Sequence, residues 1–180
     1  LVTKLTGRYV EFELFTLNFQ EYEEMKAFFG KPINSNPMIE LTNYILEGGF
    51  PRAILFDDMA DKRKYVQGVV SEIFEKDIRK RLKIKNKENF ETVRKYVINN
   101  FGATTSLNNI CDAIRKNGTP INSSTVSKYI KALIDAKILY ECPRFDMKSK
   151  RSISGEKKYY LADLSFYYAE NTDNQLRTGT

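Results

Sequence analysis

The sequence predicts a mainly α chain built from two units, a helical bundle followed by an α+β unit of three helices and a hairpin. Three observations predict it. From Asn18 to about Lys83, apolar residues recur at three- and four-residue spacing between Gly and Pro breaks. From Asn89 onward, three shorter helical patterns precede two runs rich in aromatic and β-branched residues. The charge is also divided: Leu1 to Lys83 carries 13 basic and 13 acidic residues, whereas Lys85 to Asp163 carries 15 basic and 8 acidic, a net of +7. The tail from Leu164 contributes −1, so the whole excess of +6 lies in the second unit, where an anionic partner would bind.

The opening stretch, Gly7 to Leu17, reads as a strand, because Val10, Phe12 and Leu14 alternate with Glu11 and Glu13. No second strand lies nearby, so its sheet is expected upstream; pairing locally or with another copy of the chain is the alternative. Asn18 caps the first helix and Glu21 completes a capping box, with Phe19, Tyr22, Met25 and Phe29 as its apolar face. Gly30-Lys31-Pro32 stops it. A second helix from Met38 to Glu47 ends at Gly48-Gly49, and Pro51 opens a short third one. A long helix follows from Met59 to Arg81, with Tyr65, Val69, Ile73, Phe74 and Ile78 as the buried stripe and Arg79-Lys80-Arg81 complementing its dipole. The polar break from Lys83 to Asn89 reads as a short linker.

In the second unit, helix one spans Phe90 to Phe101, with Val93, Tyr96 and Val97 inward. Helix two is capped by Thr105 or Ser106 and carries Leu107, Ile110, Cys111 and Ile114 on one face. After the turn Asn117-Gly118-Thr119-Pro120, helix three is capped at Asn122 or Ser123 and turns Val126, Ile130, Leu133 and Ile134 inward. Ile138-Leu139-Tyr140 and Lys158-Tyr159-Tyr160-Leu161 form the hairpin, and the polar, basic stretch from Met147 to Glu156, with Gly155 near its tip, forms a wing. That order is a winged helix-turn-helix. Helix three becomes the recognition helix, with Thr125, Ser127, Lys128 and Lys131 outward, and the wing adds Lys148, Lys150, Arg151, Lys157 and Lys158. Lys outnumbers Arg, and the side chains suited to bidentate base readout are scarce, so double-stranded DNA is expected to be held mainly by its phosphates. Docking of another protein is the alternative use of such a module, and a purely structural spacer the third.

Several chemistries are disfavoured. The chain has no His, and Cys111 and Cys142 alone complete neither a metal ligand set nor a disulfide framework, so no metal site and no catalytic residues are expected. No apolar run reaches the roughly 20 residues needed to span a bilayer. The first residues show neither an initiator Met nor a charged segment before an apolar run, so no signal peptide is expected. These features predict a cytoplasmic piece of something longer, with no membrane partner.

Four phrases together resemble a prokaryotic group of predicted ATPases of the AAA superfamily: Leu5 to Phe15 with Leu17 to Tyr22, Tyr44 to Pro51, Glu75-Lys76-Asp77-Ile78 with Arg81, and Lys157 to Leu164. Ser165 stands where that group usually has Gly. The resemblance spans nearly the whole chain and implies residues 1–17 as the terminal strand of an ATPase core, 18–84 as a helical lid-like domain, 85–168 as the winged helix and 169–180 as a polar tail. It further implies an upstream P-loop core using ATP and Mg²⁺ and a C-terminal domain similar to restriction-endonuclease-like nucleases, both partners of this piece, with oligomerisation possible. Neither a G-x-x-x-x-G-K-[ST] motif nor an acidic nuclease cluster is present. Arg8 is the one residue placed to act on nucleotide, as an arginine finger; a strand-anchoring or surface Arg is the plainer reading. A free-standing transcription regulator fits poorly, because it would have no use for an orphan strand.

Overall fold

The computed structural model describes residues 10, 12–79, 84, 86–148 and 151–171, with only the backbone described at 77 and 151–154. Over these residues the chain is mainly helical, with one small two-stranded antiparallel sheet.

The helical half opens on α1 (Phe19–Phe28), where Glu21 N–H donates to Asn18 Oδ1 at 3.0 Å and Asn18 N–H to Glu21 Oε2 at 2.8 Å. This is the expected capping box. Helix α2 (Pro37–Glu47) is capped by Asn36 and ends at Gly48, whose φ of +80° is open to glycine at little cost. A 3₁₀ turn (Pro51–Leu55) buries Ala53 and Ile54. Helix α3 (Met59–Ile73) runs directly into a π-helical turn (Phe74–Ile78).

That π turn corrects the expected stripe. The buried row is Lys62, Val66, Val70, Phe74 and Ile78, while Tyr65, Val69 and Ile73 lie half-buried beside it. Steps of four residues overshoot an α-helical turn by about 40° each. The wider π turn takes this drift back and keeps Phe74 and Ile78 over the core. Lys62 enters the row because it finds a partner inside.

The expected opening strand has no partner strand among the described residues. Residues 10 and 12–17 are not in a ladder, and Val10, Phe12 and Leu14 are 77%, 82% and 92% exposed. A strand needs a neighbour for its N–H and C=O groups, and the sheet among the described residues consists of two later strands only. Gly7 to Tyr9 and Glu11 lie outside the described residues.

The second half contains α4 (Lys87–Asn99), α5 (Leu107–Lys116) and α6 (Ser123–Asp135), capped by the side chains of Asn86, Ser106 and Asn122. Strand β1 (Leu139–Asp146) pairs antiparallel with β2 (Arg151–Leu161). The register jumps between Pro143, opposite Lys157, and Arg144, opposite Ile153, so 154–156 bulge out of β2. Proline cannot donate to a ladder, and its position marks the break. Gly155 lies in this bulge at φ +120°, not at the hairpin tip as expected; the turn begins at Met147.

Helix α7 (Ser165–Glu170) is the largest surprise. The sequence places the start of a loose polar tail at Ala169, yet Ser165 to Ala169 are all buried. The short run Phe166-Tyr167-Tyr168-Ala169 packs against α2, α3 and α4. Phe50 meets Phe166 edge-on at 5.5 Å, and Arg94 pairs with Glu170 at 2.7 Å. One apolar cluster joins the halves: Phe74 of the π turn lies 4.8 Å from Phe90, which meets Tyr129 edge-on at 5.4 Å. Among the described residues, the packing is thus continuous from Phe74 and Ile78 to Phe90 and Val93 on the far side of the polar break.

Candidate nucleic-acid interface

The second half turns its charge outward through α6 and the hairpin. Helix α6 buries Val126, Tyr129, Ile130, Ala132 and Leu133, which fixes its rotation. Ser124, Ser127, Lys128 and Lys131 are then exposed at three- and four-residue spacing, one stripe on the outer face. Thr125, expected in that stripe, is half-buried at the first turn, and its N–H donates to Asn122 Oδ1 at 2.8 Å. It belongs to the cap.

A shallow groove of about 470 Å³ runs between the starts of α5 and α6 and the bulge of β2, lined by Ser106, Asn108, Ser123, Ser124, Ser127 and Lys157 among others. Each helix start leaves first-turn N–H groups without an intrahelical acceptor, and both dipoles point their positive ends toward this region. Lys157 is held there by its backbone: Thr105 N–H donates to Lys157 O at 2.9 Å and Lys157 N–H to Thr105 O at 2.8 Å. Its ammonium is paired with Glu141 at 2.7 Å, which takes up much of its charge. Lys158 is exposed opposite Cys142, and with Lys157 and Arg144 it lines a second groove of about 440 Å³. Lys148 is exposed beyond the end of β1. Arg151 pairs by backbone with Asp146, while Lys150 and Arg8 lie outside the described residues.

The structure thus brings Ser127 and Lys157 together on one groove and sets Lys128 and Lys131 along the same helix, while Thr125 is withdrawn. The sequence reading missed Asn108, Ser123 and Ser124, and Arg144 in the second groove. The first three had a signal, since polar residues crowd the two caps, but nothing in spacing alone brings two caps together.

A second polar site lies inside the helical half. Lys26 and Glu40 form a buried ion pair, and Glu40 also accepts from Asn34 N–H at 2.9 Å and Asn43 Nδ2 at 3.2 Å. Burial alone would raise Glu40; Lys26 and the two amide donors overcome it and hold its pKa below the ordinary value. Lys62 pairs with Glu47 at 2.5 Å, and the Tyr22 hydroxyl donates to the same carboxylate at 2.9 Å. Burial and then Glu47 push Tyr22 far above its ordinary range, so it stays a donor. With every charge paired, this network is a strut between α1, α2 and α3.

The described residues define a mainly helical chain with a three-helix-and-hairpin unit and a basic outer face. By sequence, the chain belongs to the family described as a domain of unknown function, DUF8612, whose model matches residues 38–176. An uncharacterized protein of Haemophilus influenzae is 26% identical over 166 residues, covering 91% of this chain and 40% of the relative. Uncharacterized protein MJ1544 of Methanocaldococcus jannaschii is 29% identical over 166 residues, covering 89% of this chain and 37% of the relative. The chain spans about two fifths of the length of these curated relatives. Among the described residues, no helix is long and apolar enough to cross a membrane, and no group of acidic or Cys side chains is placed to hold a metal.

Proposed function

We propose that this chain is the lid and winged-helix region of a AAA-type ATPase, and that its basic face holds double-stranded DNA mainly through phosphates. The element order α4-α5-α6-β1-β2, with Gly118 in the turn between α5 and α6, supports the winged-helix reading. The observation that carries DNA binding is the exposed stripe Ser124, Ser127, Lys128 and Lys131 beside a groove flanked by two helix starts. Hydroxyls, lysines and first-turn amides are the groups that meet phosphate oxygens. ATP and Mg²⁺ would belong to the upstream core, as would any action of Arg8 on nucleotide; the core and the nuclease-like domain are the proposed neighbours within a longer, cytoplasmic protein that can assemble into oligomers.

The test is fluorescence anisotropy with a random duplex of ~20 base pairs at ~50 and ~200 mM salt. Four phosphate contacts predict a loss of about 150-fold across that fourfold salt change. Lys128→Glu with Lys131→Glu should weaken binding at least about tenfold at the lower salt. Absence of binding at low salt would sink the reading.

One observation favours the protein-docking alternative. Phe145 and Met147, at the end of the hairpin, are 56% and 80% exposed, an apolar tip that phosphate binding does not require. If duplex binding survives Phe145→Ser with Met147→Ser but fails in the lysine variant, the tip is not the anchor.

A further inference from the structure

Residues 13–17 are pinned to the base of the hairpin at two places. The inner one is a buried node where three of the phrases singled out in the sequence meet. Leu17 N–H donates to Gly49 O at 2.8 Å, and the Tyr44 hydroxyl donates to Leu17 O at 2.8 Å. Gly49 N–H donates to Asp163 Oδ2 at 2.8 Å, while Asp163 Oδ1 accepts from Ser165 N–H at 2.9 Å and Ser165 Oγ at 2.5 Å. The packing leaves no room for side chains here. A Cβ on Gly48 would stand 2.2 Å from Asp163 Oδ1, and one on Gly49 would stand 2.3 Å from Leu17 O. Asp163 lies two residues beyond β2, so the node ties residue 17 to the hairpin's return strand.

The outer attachment is at Lys137, between α6 and β1. Glu13 pairs with Lys137 at 2.7 Å, and the Phe15 ring lies 6.2 Å from that of Tyr140. Burial, then the Glu13 carboxylate, push the Tyr140 hydroxyl above its ordinary range. Lys137 also occupies an unusual backbone position. Ile138 N–H donates to Leu133 O and Lys137 N–H to Ile134 O, both at 2.9 Å, the double bond of a Schellman helix end. The residue there has φ +58°, the described non-glycine residue with positive φ. Glycine takes that conformation without strain, so a lysine is costly unless its side chain is used.

We infer that residues 13–17 are a strap that clamps the incoming chain onto the hairpin base, with Lys137 as the outer clasp and Gly48, Gly49 and Asp163 as the inner one. The basic face then moves as one body with residues 13–17. This rests on the proposed reading for its purpose, since such a strap would carry motion of an upstream core to the DNA-binding face.

The strap is tested without nucleic acid, so a failure of the DNA reading leaves this result intact and the reverse also holds. Spin labels on Phe12→Cys and the exposed native Cys142, in a Cys111→Ser background, report their separation by pulsed EPR. The expected result is one narrow distance distribution. Lys137→Gly should lose the narrow peak while the melting temperature stays level or rises, because the backbone strain is relieved as the clasp is removed. Glu13→Lys should also lose it, and Glu13→Lys with Lys137→Glu should restore it. Asp163→Asn, whose amide must face a donor at Gly49 or Ser165, should lose it together with thermal stability. A broad distribution in the chain with only the labelling changes, or a peak that Lys137→Gly leaves unaltered, would overturn the strap.

Discussion

The two halves of the molecule use the same residue type in opposite ways. In the charge-balanced helical half, Lys26 and Lys62 are buried and paired with Glu40 and Glu47, and Lys31 reaches across to Asp57. In the basic half, Lys128, Lys131, Lys148 and Lys158 are exposed above an almost wholly apolar interior. Net charge per segment therefore reports more than a surface potential. A balanced segment can enclose its ions, because each finds a counter-ion within it; a segment with an excess of seven carries most of that excess on its surface.

The largest effect should come from breaking an enclosed pair. Glu40→Gln leaves the Lys26 ammonium buried without its counter-ion and should cost about 3–5 kcal/mol by chemical denaturation. The same carboxylate gives a pH signature. Its folded-state pKa lies below the ordinary 4.5, so its contribution is complete above that value and is lost as the pH falls through the lowered one. The acid limb of the stability profile should therefore be flatter in Glu40→Gln than in the unaltered chain. Gly48→Ala comes next: it strains a φ of +80° and drives a Cβ into Asp163, for an expected cost of about 3 kcal/mol. Lys128→Glu with Lys131→Glu should behave in the opposite manner. It should leave stability within about 0.5 kcal/mol and change only the salt-dependent binding of duplex.

Much of the helical framework was legible because caps are local. Asn18 with Glu21, Ser106 and Asn122 are short-range signals, and α1, α5 and α6 begin at them, whereas α2 starts at Pro37 within the expected loop and α4 at Lys87, three residues ahead of the expected Phe90. What escaped depends on distance along the chain. Nothing local marks Lys26 and Lys62 as buried, since their partners lie 14 and 15 positions away on another helix. The burial of α7 escaped because six residues show no periodicity, and its apolar side chains face three separate helices. The alternating stretch at 7–17 shows the converse: alternation describes a face, a face becomes a strand only beside a neighbour, and the described residues supply none. Of the site, the lysine stripe on α6 followed from the inward apolar positions of the same helix. The groove did not, because it arises from a bulge at Gly155 that places β2 against two caps.

Lys157 belongs to the basic half but is paired like a lysine of the helical half. Its side chain is 25% exposed and bound to Glu141, and its backbone is fixed by Thr105. Lys158, its neighbour, is exposed with its charge displayed. Each phosphate contact contributes about 0.9 to the slope of log affinity against log salt concentration. Lys158→Ala should lower that slope by up to this amount and leave stability unchanged. Lys157→Ala should lower it by less, because Glu141 already neutralises the ammonium, and Glu141→Gln should strengthen duplex binding by releasing it. If Lys157→Ala instead takes the full decrement, the ion pair opens when duplex binds, and Lys157 belongs with the displayed lysines.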